Sequence, residues 1–377
     1  MLLFDAHLDL ACLAVNRRDM LAPPAVCGGP WQPATITLPS LAEGNVRVAL
    51  ATIFTEVGGQ DAESYPAGDF ERAHAVGRAQ LEVYETWRDA GHVAIDLREL
   101  MRRDPHVGEV RAGMGVASAV PFGLPQRLAR ASARAPLHIG ILVENADPIR
   151  GPDELPWWKE RGVVAVGLAW AKSSRYATGN APGPRSDGGA DAAHGLTDLG
   201  RDMVRAMDQL RIVHDVSHLS DRAFDDLLAL TDRPVIASHS NCRSILKGDL
   251  GPEGRNHRLL RDDQIRAIAG RGGVIGLNLV RAFIPPRADN PGDPRPTIAE
   301  AVDHVERICE LAGHRGCVGL GTDMDGGISG LELPAGIERP ADLSLILDEL
   351  RSRGWSEPEV EGFAWRNWSA FFERAIG

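Results

Sequence analysis

Eight short runs rich in Val, Ile and Leu recur along the chain, at residues 2–7, 46–54, 138–144, 163–170, 211–217, 234–239, 273–279 and 317–322. Continuous apolar runs of this length mark strands buried on both faces, which belong to parallel sheets and need a crossover between neighbours. Helical spacing fills the gaps. Residues 69–88 place Phe70, Ala73, Gly77, Leu81 and Tyr84 on one stripe, and 197–210 open on Thr197 as an N-cap. Residues 262–269, 298–311 and 343–353 fit the same helical role. Eight strands alternating with helices predict a (β/α)8 TIM barrel, a fold whose active sites gather at the carboxyl ends of its strands.

A plain barrel takes roughly 250 residues, so 377 residues leave room for insertions. We expect them after strands 2 and 4, at 57–137 and at 173–194, the second rich in Gly, Pro, Asn and Asp and suited to a loop over the site. Residues 281–296, with Pro285, Pro286, Pro291, Pro294 and Pro296, read as another rim loop. There is no internal repeat, and a single barrel domain over 1–377 is the expected organisation.

The net charge of −11 argues against nucleic acid and against an anionic membrane surface, both of which need a basic footprint. A small-molecule substrate is left. Cys12, Cys27, Cys242, Cys309 and Cys317 are scattered, odd in number and without C-x-x-C spacing, which suggests reduced, structural thiols. Asp5 follows only Met1-Leu2-Leu3-Phe4, and no apolar stretch nears the roughly 18 to 20 residues of a membrane span. The expectation is a cytoplasmic protein without a membrane partner.

Polar signatures stand at the ends of five of the runs: Asp5-Ala6-His7-Leu8-Asp9, Glu144, Ser217-His218, Ser238-His239-Ser240 and Thr322-Asp323-Met324-Asp325. Only strand ends meeting at one rim could bring them together. Three histidines with several carboxylates are the donors that a pair of divalent ions needs. His7 and Asp9, one residue apart, share a face of an extended strand and can chelate one ion, though a satisfied histidine near a turn has the same sequence. Glu144, after a buried strand, needs a partner, either a metal or an arginine on the rim. His218 and His239 repeat a Ser-His pair on consecutive strands, whereas His214 reads as structural. Asp323 ends the strand that closes the barrel and can move a water's proton to a leaving amine. Asp325 reads as a brace for the loop that turns at Gly326-Gly327.

These residues resemble the zinc dipeptidases of the membrane (renal) dipeptidase type, within the amidohydrolase superfamily. The similarity runs along nearly the whole chain, through Gly195-Leu196-Thr197-Asp198-Leu199-Gly200, Val213-His214-Asp215-Val216-Ser217-His218, Pro234-Val235-Ile236-Ala237-Ser238-His239-Ser240-Asn241-Cys242-Arg243, Gly272-Gly273-Val274-Ile275-Gly276-Leu277-Asn278 and Gly319-Leu320-Gly321-Thr322-Asp323-Met324-Asp325-Gly326. It implies two divalent ions, zinc by family habit. His7 and Asp9 would hold one ion, His218 and His239 the other, and Glu144 would bridge both. Asp323 would be the acid/base residue beside a bridging hydroxide. Arg258 matches an arginine that grips the substrate carboxylate, where a surface salt bridge is the plain alternative and Leu259 replaces the usual Asn. The implied substrates are dipeptides, including those with a C-terminal D residue, and relatives of this type often form homodimers.

One departure bears on the reaction. After Gly162-Val163-Val164-Ala165-Val166-Gly167-Leu168-Ala169 the family pattern has a histidine that polarises the scissile carbonyl, and here Trp170 stands. Loss of such a donor costs on the order of a hundredfold in rate. The expected function is therefore a binuclear metal-dependent dipeptidase. The alternatives are an amidohydrolase acting on N-acyl amino acids or another non-peptide amide, with Trp170 shaping the pocket, and a non-catalytic metal-containing binding protein. A rim histidine, His194 or His257, could also move into the place that Trp170 leaves.

Overall fold

The computed structural model describes residues 1–101, 136–181, 186, 195–284 and 295–377. Parts of the three expected rim loops, at 102–135, 182–185, 187–194 and 285–294, lie outside the described residues, His194 among them.

Each of the eight apolar runs is a strand: β1 (Leu3–Leu8), β2 (Val46–Ile53), β3 (Leu137–Val143), β4 (Val163–Gly167), β5 (Val213–Asp215), β6 (Ile236–Ala237), β7 (Val274–Leu277) and β8 (Val318–Leu320). All pair in parallel with their sequence neighbours, and β1 pairs with β8 through Asp5 and Leu320. The β2–β3 ladder, from Val48 opposite His138 to Ile53 opposite Val143, completes a closed (β/α)8 barrel. The strands are nearly uniformly buried, as the absence of polar alternation in their sequences requires.

The paired segments are shorter than the apolar runs, most of all at β5 and β6, because the chain leaves the ladder before the polar signatures begin. Three short strands among the described residues were not legible, two of which, Glu56–Val57 and Ser64–Tyr65, pair with each other in parallel. The third, Val93–Ile95, pairs with Leu137–Ile139 at the start of β3, the edge that β4 leaves free by joining only from Ile141 onward. Three residues are too few to show a period.

The crossover helices follow the predicted stripes. Phe70–Asp89 starts at Asp69, whose side chain accepts the Arg72 N–H, and buries Ala73, Gly77, Leu81 and Tyr84. Asp198–Leu210 is capped by Thr197, and Ile298–Ala312 opens on a capping box of Thr297 with Glu300 and stops at Gly313 in the left-handed region. The last helix, Asn367–Ile376, stacks Phe372 on Phe4 of β1 and packs Trp368 against the same ring at a tilt, and the Trp368 indole donates to the Leu320 carbonyl of β8. No helix among the described residues is long and apolar enough to cross a membrane.

Candidate metal centre at the carboxyl rim

Every signature residue leaves the barrel at the same rim. His7 is the penultimate residue of β1, with Asp9 just past it; Glu144 follows β3, His218 and His239 follow β5 and β6, and Asp323 follows β8. Glu144 Oε1 lies 3.6 Å from His7 Nε2, 3.2 Å from His218 Nε2 and 3.4 Å from His239 Nε2. His7 Nε2 is 3.8 Å from Asp9 Oδ1 and 4.0 Å from Asp323 Oδ1. Donor atoms of His7, Glu144 and His239, and of His7, Asp9 and Asp323, all lie within 4.8 Å of one another. The structure therefore brings together all six residues singled out in the sequence.

Buried carboxylates staple the strand ends that carry them. Asp5 of β1 accepts the Thr322 N–H at 2.9 Å and the Thr322 hydroxyl at 2.5 Å, which fixes the approach of β8 to Asp323. Asp215 of β5 accepts the Ser217 and Ser238 N–H groups and the Ser238 hydroxyl, tying β5 to β6. Asn241 and Asn278 exchange side-chain to backbone bonds between the ends of β6 and β7.

His218 and Asp323 sit in the left-handed region, at φ 66° and 57°. That region is worth avoiding by about 1–2 kcal/mol for a residue other than glycine. The strain fits a rim where side-chain direction outranks backbone comfort. Gly326 has a related reason: a Cβ there would meet Asp323 Oδ1 at 2.0 Å and Asp9 Oδ2 at 2.8 Å.

The site residues are buried, and their electrostatics follow from that. Burial pulls the His7 imidazole down to about 3 and holds His218 and His239 well below the ordinary range, so all three are neutral donors. Burial raises Asp9 to about 6 and pushes Glu144 and Asp323 well above the usual carboxylate range, with the charge of Asp9 adding to both. His7 Nε2 is buried without a hydrogen-bond partner. Converging lone pairs, crowded carboxylates and an orphaned imidazole nitrogen are what divalent cations would satisfy, so the residues fit a metal.

Several residues around the rim carried no functional reading in the sequence. The Thr52 hydroxyl of β2 donates to Asp9 Oδ1. The Asn278 amide donates to Asp323 Oδ2 at 2.9 Å, and Asn180 Oδ1 accepts from His218 Nδ1 at 2.9 Å. Asp215 and Ser238 lie behind His7 and His239. A polar residue within or just after an apolar strand was the available signal for Asp215 and Asn278; Asn180, from a distant loop, had none.

Arg258 is buried, with Nη1 donating to Ser240 Oγ at 3.0 Å, Nη2 to the His239 carbonyl at 2.8 Å, and the guanidinium over the Phe283 ring. Its Nε has no partner, and no carboxylate of a described residue lies within ion-pair distance. Trp170 packs edge-on against Phe54 at 5.1 Å and lies 5.8 Å from the His218 ring, so its side chain stands at the metal-facing rim. His257 does not replace it: its ring is turned to Asp221, accepting that residue's N–H at 3.1 Å. Asp325 takes the Arg18 guanidinium, the Thr35 and Ile36 N–H groups and the Thr35 hydroxyl, a loop brace as expected. His214 pairs with Asp208 at 2.7 Å, away from the rim histidines.

Fold and rim together define a (β/α)8 barrel of the metal-dependent hydrolase type. The sequence model of the membrane dipeptidase family, peptidase family M19, matches residues 1–375, and the chain belongs to that family. It is 33% identical over 208 residues to the Klebsiella pneumoniae "uncharacterized protein in pqqA 5'region", an alignment covering 55% of this chain and 70% of that protein. Two further relatives are covered over 53% and 31% of their own length. The crystal structure of dipeptidase AC, a metallopeptidase, superimposes with a TM-score of 0.75 at 23% identity over 100% of this chain and 99% of that one. A Rhodobacter sphaeroides metallopeptidase, liganded with a phosphinate mimic of the dipeptide L-Ala-D-Ala, gives 0.74 at 22% over the same shares. At these identities the structural likeness is one of fold.

Proposed function

We propose that this protein is a dipeptidase that hydrolyses the amide bond of dipeptides, including those with a C-terminal D residue, with the help of two divalent ions. The observation that carries the reading is the convergence of three neutral imidazole nitrogens on Glu144 Oε1, with Asp9 and Asp323 beside them. His7 and Asp9 would hold one ion, His218 and His239 the other, and Glu144 both; the nitrogen and oxygen donor set suits zinc. When bound, such ions polarise a carbonyl and lower the pKa of a water.

The remaining work falls to the chain's own groups. Asp323, held through Oδ2 by Asn278, takes the proton of the attacking water on its other oxygen and delivers it to the departing amine. Arg258, buried and without a carboxylate partner among the described residues, receives the substrate's terminal carboxylate on its guanidinium. Burial of the rim keeps bulk water from screening either step.

A second reading rests on Trp170. Its packing between Phe54 and His218 puts an apolar wall where the family would have a polarising histidine, which favours N-acyl amino acids or another non-peptide amide. A panel of dipeptides and N-acyl amino acids assayed with zinc supplied tests both readings against Asp323→Asn. Turnover of dipeptides is expected to fall by about 10²- to 10⁴-fold in the variant. Wild-type turnover of dipeptides no higher than that of Asp323→Asn would sink the first reading.

A further inference from the structure

The two Ser-His dipeptides end consecutive strands, and the reaction above uses only their histidines. Ser238 Oγ, fully buried, lies 2.5 Å from Asp215 Oδ2, 2.8 Å from His239 Nδ1 and 3.3 Å from His7 Nδ1. A hydroxyl has one proton and two lone pairs. Asp215 is the partner that must receive the proton, because its other oxygen already accepts the N–H groups of Ser217 at 3.0 Å and Ser238 at 2.9 Å, as a carboxylate does. The short distance to Oδ2 is that of a charge-assisted bond. Ser217 Oγ, at 3.3 Å from Ser238 Oγ against 2.5 Å for Asp215 Oδ2, does not take this proton, and its own hydroxyl is hydrogen-bonded to Asp215.

Both lone pairs of Ser238 then face imidazole nitrogens, and each ring can meet them only by carrying its proton on Nδ1. Nε2 of His7 and of His239 is left as a bare lone pair, 3.6 Å and 3.4 Å from Glu144 Oε1. His218 is set independently. Asn180 Oδ1 accepts from its Nδ1, and the Asn180 amide is spent on Asn256 Oδ1 at 2.9 Å, which keeps the oxygen toward the ring.

We infer that Asp215 and Ser238 act as one tautomer lock on two histidines, His7 and His239, that serve different ions. Ser238 is thus a positioning residue common to both metal positions, whereas Asn180 positions a single ligand of one. The assignment to ions rests on the proposed function; the lock itself does not. Orienting partners of this kind typically change metal affinity by about 10- to 100-fold.

Two measurements test it. In metal-free protein with ¹⁵N-labelled histidine, the ring nitrogen shifts of His7 and His239 are expected to report the Nδ1–H tautomer, and an Nε2–H tautomer at either ring in the wild type overturns the lock. In competition with a chelator of known zinc affinity, Ser238→Ala is expected to weaken both ions by about 10- to 100-fold and Asn180→Ala only one, with Ser238→Thr, which keeps the hydroxyl, restoring both. Weakening of a single ion by Ser238→Ala, or of neither, also overturns it. A wild-type protein that binds fewer than two ions would instead refute the two-ion reading, and the tautomers of the metal-free protein would still decide the lock.

Discussion

The Nε2 atoms of His218 and His239 lie 2.9 Å apart. At that distance two nitrogens ordinarily share a proton. Here the Nδ1 atoms face Asn180 Oδ1 and Ser238 Oγ, so the ring protons are spent on the far side and the near nitrogens are both acceptors. Burial keeps both rings neutral, which removes the other way of placing a proton between them. A cation relieves the opposition of the two lone pairs, and the carboxylate of Glu144 against both nitrogens sharpens the same demand.

Removal of metal should therefore lower stability as well as activity. Ions present at 100 times their dissociation constant stabilise the native state by about 2.7 kcal/mol each. Thermal melts with and without a strong chelator are expected to differ by several degrees, and the stoichiometry lost on dialysis to approach two ions per chain. An unchanged melting temperature would argue that the rim does not hold metal.

Arg258→Ala should discriminate between substrates. No carboxylate of a described residue lies within ion-pair distance of the buried guanidinium, and in the proposed reaction its partner is the substrate's carboxylate. Hydrogen bonds to charged groups contribute about 1.5–3 kcal/mol, which corresponds to a rise in KM of roughly 10- to 100-fold for dipeptides. C-terminally amidated analogues should show little change in KM. Equal losses for both would remove the carboxylate-binding role.

Trp170→His installs the histidine that the family resemblance implies after the fourth strand. The ratio of dipeptide to N-acyl amino-acid turnover is expected to rise, by about tenfold or more if a single polarising donor is regained. Steady-state kinetics on one substrate of each kind measures it, and a ratio that does not move would mean that Trp170 does not select the substrate.

The loop that carries Arg258 hangs on Asp221. Arg243 bonds both Asp221 oxygens at 2.8 Å and 2.7 Å and reaches the Leu259 carbonyl at 2.7 Å, and Arg261 adds a contact at 3.0 Å. Burial raises the pKa of Asp221, but the bonds to Arg243 outweigh it and the net direction is down. A carboxylate depressed in the folded state adds stability that is full above the unfolded value of about 4 and is lost as pH falls through the folded one. Asp221→Asn should thus be less stable than the wild type at pH 7, by about 1–3 kcal/mol. The difference should shrink below pH 4, as denaturant melts at both pH values would show. A difference independent of pH would exclude the ion pair as its source.

The sequence by itself determined the barrel and the residues that point into its rim. Eight apolar runs without alternation leave a parallel, doubly covered sheet as the way to bury them, and polar residues at or just past the ends of such runs emerge at the carboxyl rim, as His7, Glu144, His239 and Asp323 do. Trp170 was legible for the same reason. Tertiary structure alone decided the partners. That Ser238 faces both His7 and His239, that Asn180 crosses from a loop to His218, and that Arg258 lies buried rather than on the surface depend on distances between segments far apart in the chain. Periodicity records which face of its own element a residue occupies, whereas a hydrogen bond across strands depends on stagger and closure, which no local pattern encodes.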